Sequence, residues 1–166
     1  MRVPDFKQII RFPQDFQKRF GELAVKLHKR FIKTLKRPSG APFKPLSPRY
    51  AKTKKEMGKP AIPDLELSGA MLNEFKFHFA MQEPNGEFRV QYGMDKNRKY
   101  PGKNVGTADV MNIHAQGIGT MPARPVSQPK YPIYKEMEKE LVEAMVGQIA
   151  TNIHKVMKVP VLIIRA

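Results

Sequence analysis

Cysteine is absent from the 166 residues. That excludes disulfide frameworks, zinc knuckles, thiolate nucleophiles and iron–sulfur sites. Long apolar runs are missing too: no window approaches the roughly 18 unbroken apolar residues of a membrane-spanning helix. Met1-Arg2-Val3-Pro4-Asp5 leads into no apolar run of about 7–15 residues, so no secretory signal is expected. Acidic residues are few, 15 Asp and Glu against 30 Lys and Arg, which leaves a net charge of +15. At 41% apolar residues the chain is too apolar for a disordered tail and too polar for a membrane protein. Its length fits a single domain over 1–166, able to bury about 70% of the unfolded chain's surface. Proline, in contrast, is abundant: fifteen of them predict several rigid connections.

The charge is unevenly placed. Residues 1–60 carry 17 Lys/Arg against 4 Asp/Glu, residues 61–100 carry 5 against 6, and residues 101–166 carry 8 against 5. A density like that of the first third attracts phosphate chains or an acidic protein surface, or is simply a solvated basic face.

Two segments have the period of long helices. Over 13–36, Phe16, Phe20, Leu23, Leu27, Phe31 and Leu35 form one stripe. Pro13 suits the first turn and Asp15 the positive helix end, while Pro38-Ser39-Gly40 is the expected stop. Lys18, Lys26, Lys29, Arg30, Lys33 and Lys36 fall on the opposite face. Over 131–157, Tyr134, Met137, Leu141, Met145, Ile149, Ile153 and Val156 form a second stripe. Its acids, Glu136, Glu138, Glu140 and Glu143, cluster toward the start, and Lys155 and Lys158 lie at its end. Pro160 ends this helix, and Val159–Ile164 is β-branched enough for a last strand.

Between the helices, 38–64 is rich in proline and basic residues. A short helix is expected after Ser47-Pro48, with Ser47 as its cap, and another over 64–72. Phe75, Phe77, Phe79 and Met81 alternate with Lys76, His78 and Ala80; Phe88, Val90 and Tyr92 alternate with Arg89 and Gln91. Joined through Asn85-Gly86, they predict a hairpin with one buried aromatic face, in which Asn85 needs a positive φ. A basic loop over 94–108 follows. Then comes a helix over 108–116, capped by Thr107 or Asp109 and closed by Gly117. The segment after it has two prolines and suits an edge strand or a loop. The fold class is therefore α+β: two long amphipathic helices packed on a small antiparallel sheet containing a β-hairpin, with long Pro-rich basic arms at 38–64 and 94–108.

Little of this points to catalysis. No Gly-x-Ser-x-Gly, P-loop or His-Glu-x-x-His pattern occurs. His28, His78, His114 and His154 make no pair at helical spacing, and His28 and His154 are expected on or near solvated faces. Asp64 with Glu66, or Asp95 with Asp109, are the only carboxylates to consider for acid–base work, and no spacing requires either pair to meet. No enzyme activity, cofactor or metal is expected. Zinc-finger, homeodomain and RNA-recognition signatures are absent, although Tyr50 and Tyr100 among basic loops are of a kind that stacks on bases.

Four segments in order carry a family resemblance. They are Gly40-Ala41-Pro42-Phe43-Lys44-Pro45-Leu46-Ser47-Pro48-Arg49-Tyr50-Ala51, then Leu65-Glu66-Leu67-Ser68-Gly69-Ala70-Met71-Leu72, then His114-Ala115-Gln116-Gly117, and Met121-Pro122-Ala123-Arg124-Pro125. Together they resemble the phage virion morphogenesis family, the Mu-type tail-completion proteins. Phe43 stands where that family commonly has Trp, Ala115 separates His114 from Gln116, and Val126 replaces an aromatic residue. The resemblance implies a structural virion protein of the head–tail neck, assembled in the host cytoplasm as a ring homo-oligomer. It would meet neighbouring connector, tail-terminator or tail-tube proteins and packaged DNA in the neck channel, and no membrane. The assembly interface expected from it comprises Phe43, Leu46, Tyr50, Arg124 and Pro125. The basic contact surface expected comprises Lys29, Arg30, Lys33, Arg49, Lys52, Lys54, Lys55, Lys96, Arg98 and Lys99. The alternative reading is a basic nucleic-acid-binding module without catalytic activity.

Overall fold

The computed structural model describes residues 6–36, 39–63, 70–95, 97–99, 102–118, 121–124 and 134–157. After one 3-10 turn at Phe6–Gln8, the first Phe-rich stripe forms helix α1 (Gln14–Ile32). The helix ends earlier than the distant prolines suggest. Lys33 to Leu35 close it as a turn, with the Leu35 N–H donating to Ile32 O and Leu35 itself at φ 62°. The Phe43 N–H then donates to Leu35 O at 2.7 Å, so the chain folds back at once. Helix α2 (Pro48–Glu56) starts as expected: Ser47 is its cap and accepts from the Tyr50 N–H, with proline at the first position. Of the helix expected over 64–72, the described part is α3 (Ala70–Asn73); residues 64–69 lie outside the described residues.

Strands β1 (Lys76–Gln82) and β2 (Phe88–Gly93) pair antiparallel. Their alternation is interrupted, however. Phe77 faces Tyr92 and Phe79 faces Gln91, which leaves His78 as the extra residue of a β-bulge. An extra residue reverses every later side chain of a strand. Phe77 therefore points at α1, whereas Phe79 and Met81 turn outward and are exposed, and Ala80 and Gln82 take the inner positions. This corrects the expectation of one continuous aromatic face. The turn also differs from the expected one. The Gly86 N–H donates to Glu83 O, Gly86 alone has positive φ, and the Asn85 side chain accepts from the Glu87 N–H.

Helix α4 (Thr107–Gln116) begins at Gly106 without a side-chain cap. Thr107 instead donates its hydroxyl to Arg98 O, and Gly117 ends the helix at φ 71°. Helix α5 (Lys135–Met157) is the second long helix. The strand expected at Val159–Ile164 lies outside the described residues.

The two long helices and the hairpin enclose the core, with α1 packed against both the hairpin and α5. Phe12, Phe16 and Phe20 of the α1 side pack with Phe88 and Val90 of β2 and with Leu141, Met145 and Ile149 of α5. Ala24 and Leu27 pack with Tyr134 and Met137. Beyond them, Ile32, Phe43, Leu72, Phe75 and Met111 form the remaining core. Because α1 is covered from two sides, its buried arc is wider than one stripe. His28, expected near solvent, is buried: its Nδ1 lies 3.2 Å from the Tyr92 hydroxyl, and its ring meets Phe75 edge-on. Asn152 of α5 is buried too and donates to the carbonyls of Ile9 and Arg11, tying the N-terminal segment to the last helix.

Candidate functional site

Three of the four segments behind the family resemblance meet at one junction. The carbonyl of His114, near the end of α4, accepts from the Arg124 N–H at 2.7 Å. The chain between them doubles back so tightly that a Cβ on Gly117 would lie 2.5 Å from Ala123 N. This carries the Arg124 guanidinium under the Pro-rich segment, where it donates to Lys44 O and Pro45 O at 3.4 and 3.3 Å. Arg124 is 2% exposed, and its Nε and the Nδ1 of His114 have no hydrogen-bond partner among the described residues. Burial lowers the pKa of both side chains, and for His114 the neighbouring Arg124 charge lowers it further. Arg124 is thus an internal clamp rather than part of an exposed assembly surface, and that expectation is corrected. Its positive charge is offset by the carbonyl dipoles of residues 44 and 45, which accept its hydrogen bonds.

Phe43 is corrected for the same reason. It fills the core with Ile32, Leu72 and Met111 and offers nothing to a neighbour. The fourth segment contributes Leu72 to this same core. Leu46 and Tyr50 are half-buried, and Pro125 lies outside the described residues.

The expected basic residues separate into groups. Lys54 is withdrawn altogether: it is 2% exposed and its Nζ donates to Ile62 O at 2.9 Å, closing the segment after α2. Its place in a contact surface is therefore overturned. Arg49, Lys52 and Lys55 remain exposed on α2, with Lys52 3.9 Å from Glu56. Arg30 pairs with Glu140 of α5 and lies over the Phe31 ring, so it bridges the two long helices. Lys96 lies outside the described residues, and Lys99 donates to the Asn104 side chain.

A different grouping emerges from the fold. Glu74, just before β1 and largely covered, holds Arg98 Nε at 3.2 Å and Lys76 Nζ at 3.6 Å. Lys29 of α1 shares this neighbourhood. Partial burial pushes its pKa down, Lys76 and Lys33 push it further, and Glu74 pulls it back. Lys76 and Arg98 therefore share one carboxylate beside Lys29, which has Lys33 one turn farther on at the end of α1, although these elements are far apart in sequence. Sequence reasoning placed Lys76 on the polar side of the hairpin and missed Glu74, because no local pattern marks a shared partner.

A second surface went unnoticed as well. Val142 and Val146 of α5, one turn apart, are 51% and 58% exposed, and Met157 is exposed farther along the helix. They lie off the main stripe at a spacing of four, which is a signal the sequence does contain. Asp95 accepts from the Asn97 N–H, and Asp64 and Glu66 lie outside the described residues. Among the described residues, no group of three or more His, Asp or Glu side chains is arranged to hold a metal ion, and no helix is long and apolar enough to cross a membrane. No family model, curated protein or solved structure matches the chain.

Proposed function

We propose that the protein is a structural, non-enzymatic subunit of a phage head–tail neck, a tail-completion or head–tail joining component that works as a ring. The observation that carries this reading is the junction around Arg124. Residues from the segments that resemble the virion morphogenesis family are separated by up to 80 positions, yet share hydrogen bonds there. Three of the four resembling segments are thus tied to one another by hydrogen bonds, which supports reading them together. The exposed Val142 and Val146 on α5 support assembly, because contiguous exposed apolar patches mark contact surfaces. A head-to-tail contact repeated around an axis closes a ring. On this reading the protein's partners are copies of itself and neighbouring connector, tail-terminator or tail-tube proteins. It would be assembled in the host cytoplasm and reside in the virion neck.

Light scattering on the purified protein, with electron microscopy of the same sample, is the direct test. A closed oligomer is expected. Val146→Asp should dissociate it while leaving the thermal melt nearly unchanged, since an exposed substitution alters folding by about 0.5 kcal/mol or less. A strict monomer at every concentration, absent from purified virions, would overturn the reading.

A further inference from the structure

We infer that the basic group formed by Lys76 and Arg98, which share Glu74, and by Lys29 and Lys33, one turn apart at the end of the neighbouring α1, is a contact site for the backbone phosphates of duplex nucleic acid. This goes beyond the neck reading and does not depend on ring formation.

The first argument is charge balance. Glu74 is already engaged by Lys76 and Arg98, and Lys29 and Lys33 at the end of the adjoining α1 add two more cations without a further carboxylate among these groups. The excess is structural and not merely compositional, because the fold holds like charges within electrostatic range of each other. An arriving phosphate relieves this repulsion and releases counterions from the duplex.

The second argument is the surface's composition. Among the described residues, none of the large exposed apolar side chains, which are Ile10, Met57, Ile62, Phe79, Met81 and their counterparts at Ile118 and on α5, belongs to this cluster. Protein interfaces have an apolar centre and are depleted of lysine. Nucleic-acid interfaces are polar and cationic, with most contacts made to phosphate and sugar. The basic helix α2 has the opposite character, since Met57 just beyond it is exposed.

The third argument is geometry. Lys26, Lys29 and Lys33 advance along one helix at about 1.5 Å per residue, a run of about 10 Å. Over that length a duplex presents about six charges. Glu74 holds the ends of Lys76 and Arg98 in position, which reduces the ordering cost on binding.

The experiment is anisotropy of a labelled 30-base-pair duplex, titrated with the full chain between 50 and 200 mM salt. Binding should weaken steeply with salt. Lys29→Gln with Lys33→Gln leaves both Glu74 ion pairs intact, so its fold is checked simply by a melt. This pair should lower affinity at least tenfold at 100 mM salt and reduce the log–log salt slope by about two. Arg49→Gln with Lys55→Gln on α2 should change affinity less than threefold. Equal losses in the two double variants would make the binding diffuse and overturn the site. Salt-independent binding, no binding at 50 mM salt, or tighter binding of poly-glutamate than of duplex through the same lysines would overturn it as well. The last result would assign the cluster to an acidic protein. Light scattering on the same samples reads ring formation separately, so failure of the neck reading is distinguishable from failure of this one.

Discussion

At the scale of single residues, Gly21 shows how a local preference is overruled by a neighbour. Alanine in a helix interior ordinarily stabilises by about 1 kcal/mol relative to glycine. Here a Cβ would lie 2.1 Å from Phe77 Cε2 and 2.2 Å from Cδ2. Forcing extra volume into a packed contact costs about 1–3 kcal/mol, so the clash wins. Gly21→Ala should lower the urea midpoint. Adding Phe77→Leu should recover part of the loss; if Gly21→Ala alone raises the midpoint, the helix–hairpin contact is misassigned. Arg124 and Lys54 make a related point. Both belong to residue types that are rarely fully buried, and both are buried because backbone carbonyls receive their N–H groups. Their side-chain chemistry suggested surface roles, and their surroundings decided otherwise.

At the scale of elements, the hairpin divides cleanly into what its sequence shows and what it hides. The two runs, their pairing and the inner positions Phe88, Val90 and Tyr92 follow from alternation. The bulge at His78 does not. It depends on how β1 twists to place Phe77 over Gly21 and Gln82 beneath the N-terminal segment, where Gln82 donates to Ile10 O and accepts from the Phe12 N–H. The turn makes a quantitative distinction possible. Gly86 has φ 91°, and a side chain in the left-handed region costs about 1–2 kcal/mol. Asn85 contributes one exposed acceptor to Glu87 N–H, worth about 0.5–1.5 kcal/mol. Gly86→Ala should therefore reduce the melting temperature more than Asn85→Ala. The reverse order would mean that Asn85, not Gly86, carries the strained backbone.

At the scale of the whole molecule, buried titratable groups limit stability on both sides of neutrality. His114 has its pKa lowered from 6.5, first by burial and then by Arg124. The unfolded chain therefore binds a proton that the folded chain resists. Stability is complete above pH 6.5 and falls as pH drops below it toward the folded value. Tyr92 and Tyr134 behave in the opposite sense, since burial raises each from 10.0 to about 12. Their contribution is complete below pH 10 and is lost as pH rises from there to about 12. Thermal melts should thus form a plateau that declines on both sides. His114→Gln should flatten the decline below pH 6.5, and Tyr92→Phe part of the alkaline decline. An acid limb unchanged by His114→Gln would place the responsible group elsewhere.

The sequence by itself determined the elements: the Phe-rich α1, the α5 stripe, the Ser47–Pro48 helix start and the hairpin pairing. Each rests on spacing or capping among neighbours, and such short-range physics is written locally. It also determined the charge excess, which is a matter of counting. Tertiary structure alone decided which cations are free and which are spent. Lys54 turned inward to a carbonyl, Arg30 crossed to Glu140, and Lys76 and Arg98 met at Glu74 beside Lys29 of α1. It likewise converted Phe43 and Arg124 from expected contacts into core and clamp, because α1 and the returning Pro-rich segment enclose them. A partner's identity within the fold depends on long-range closure of the chain, and no periodicity records it.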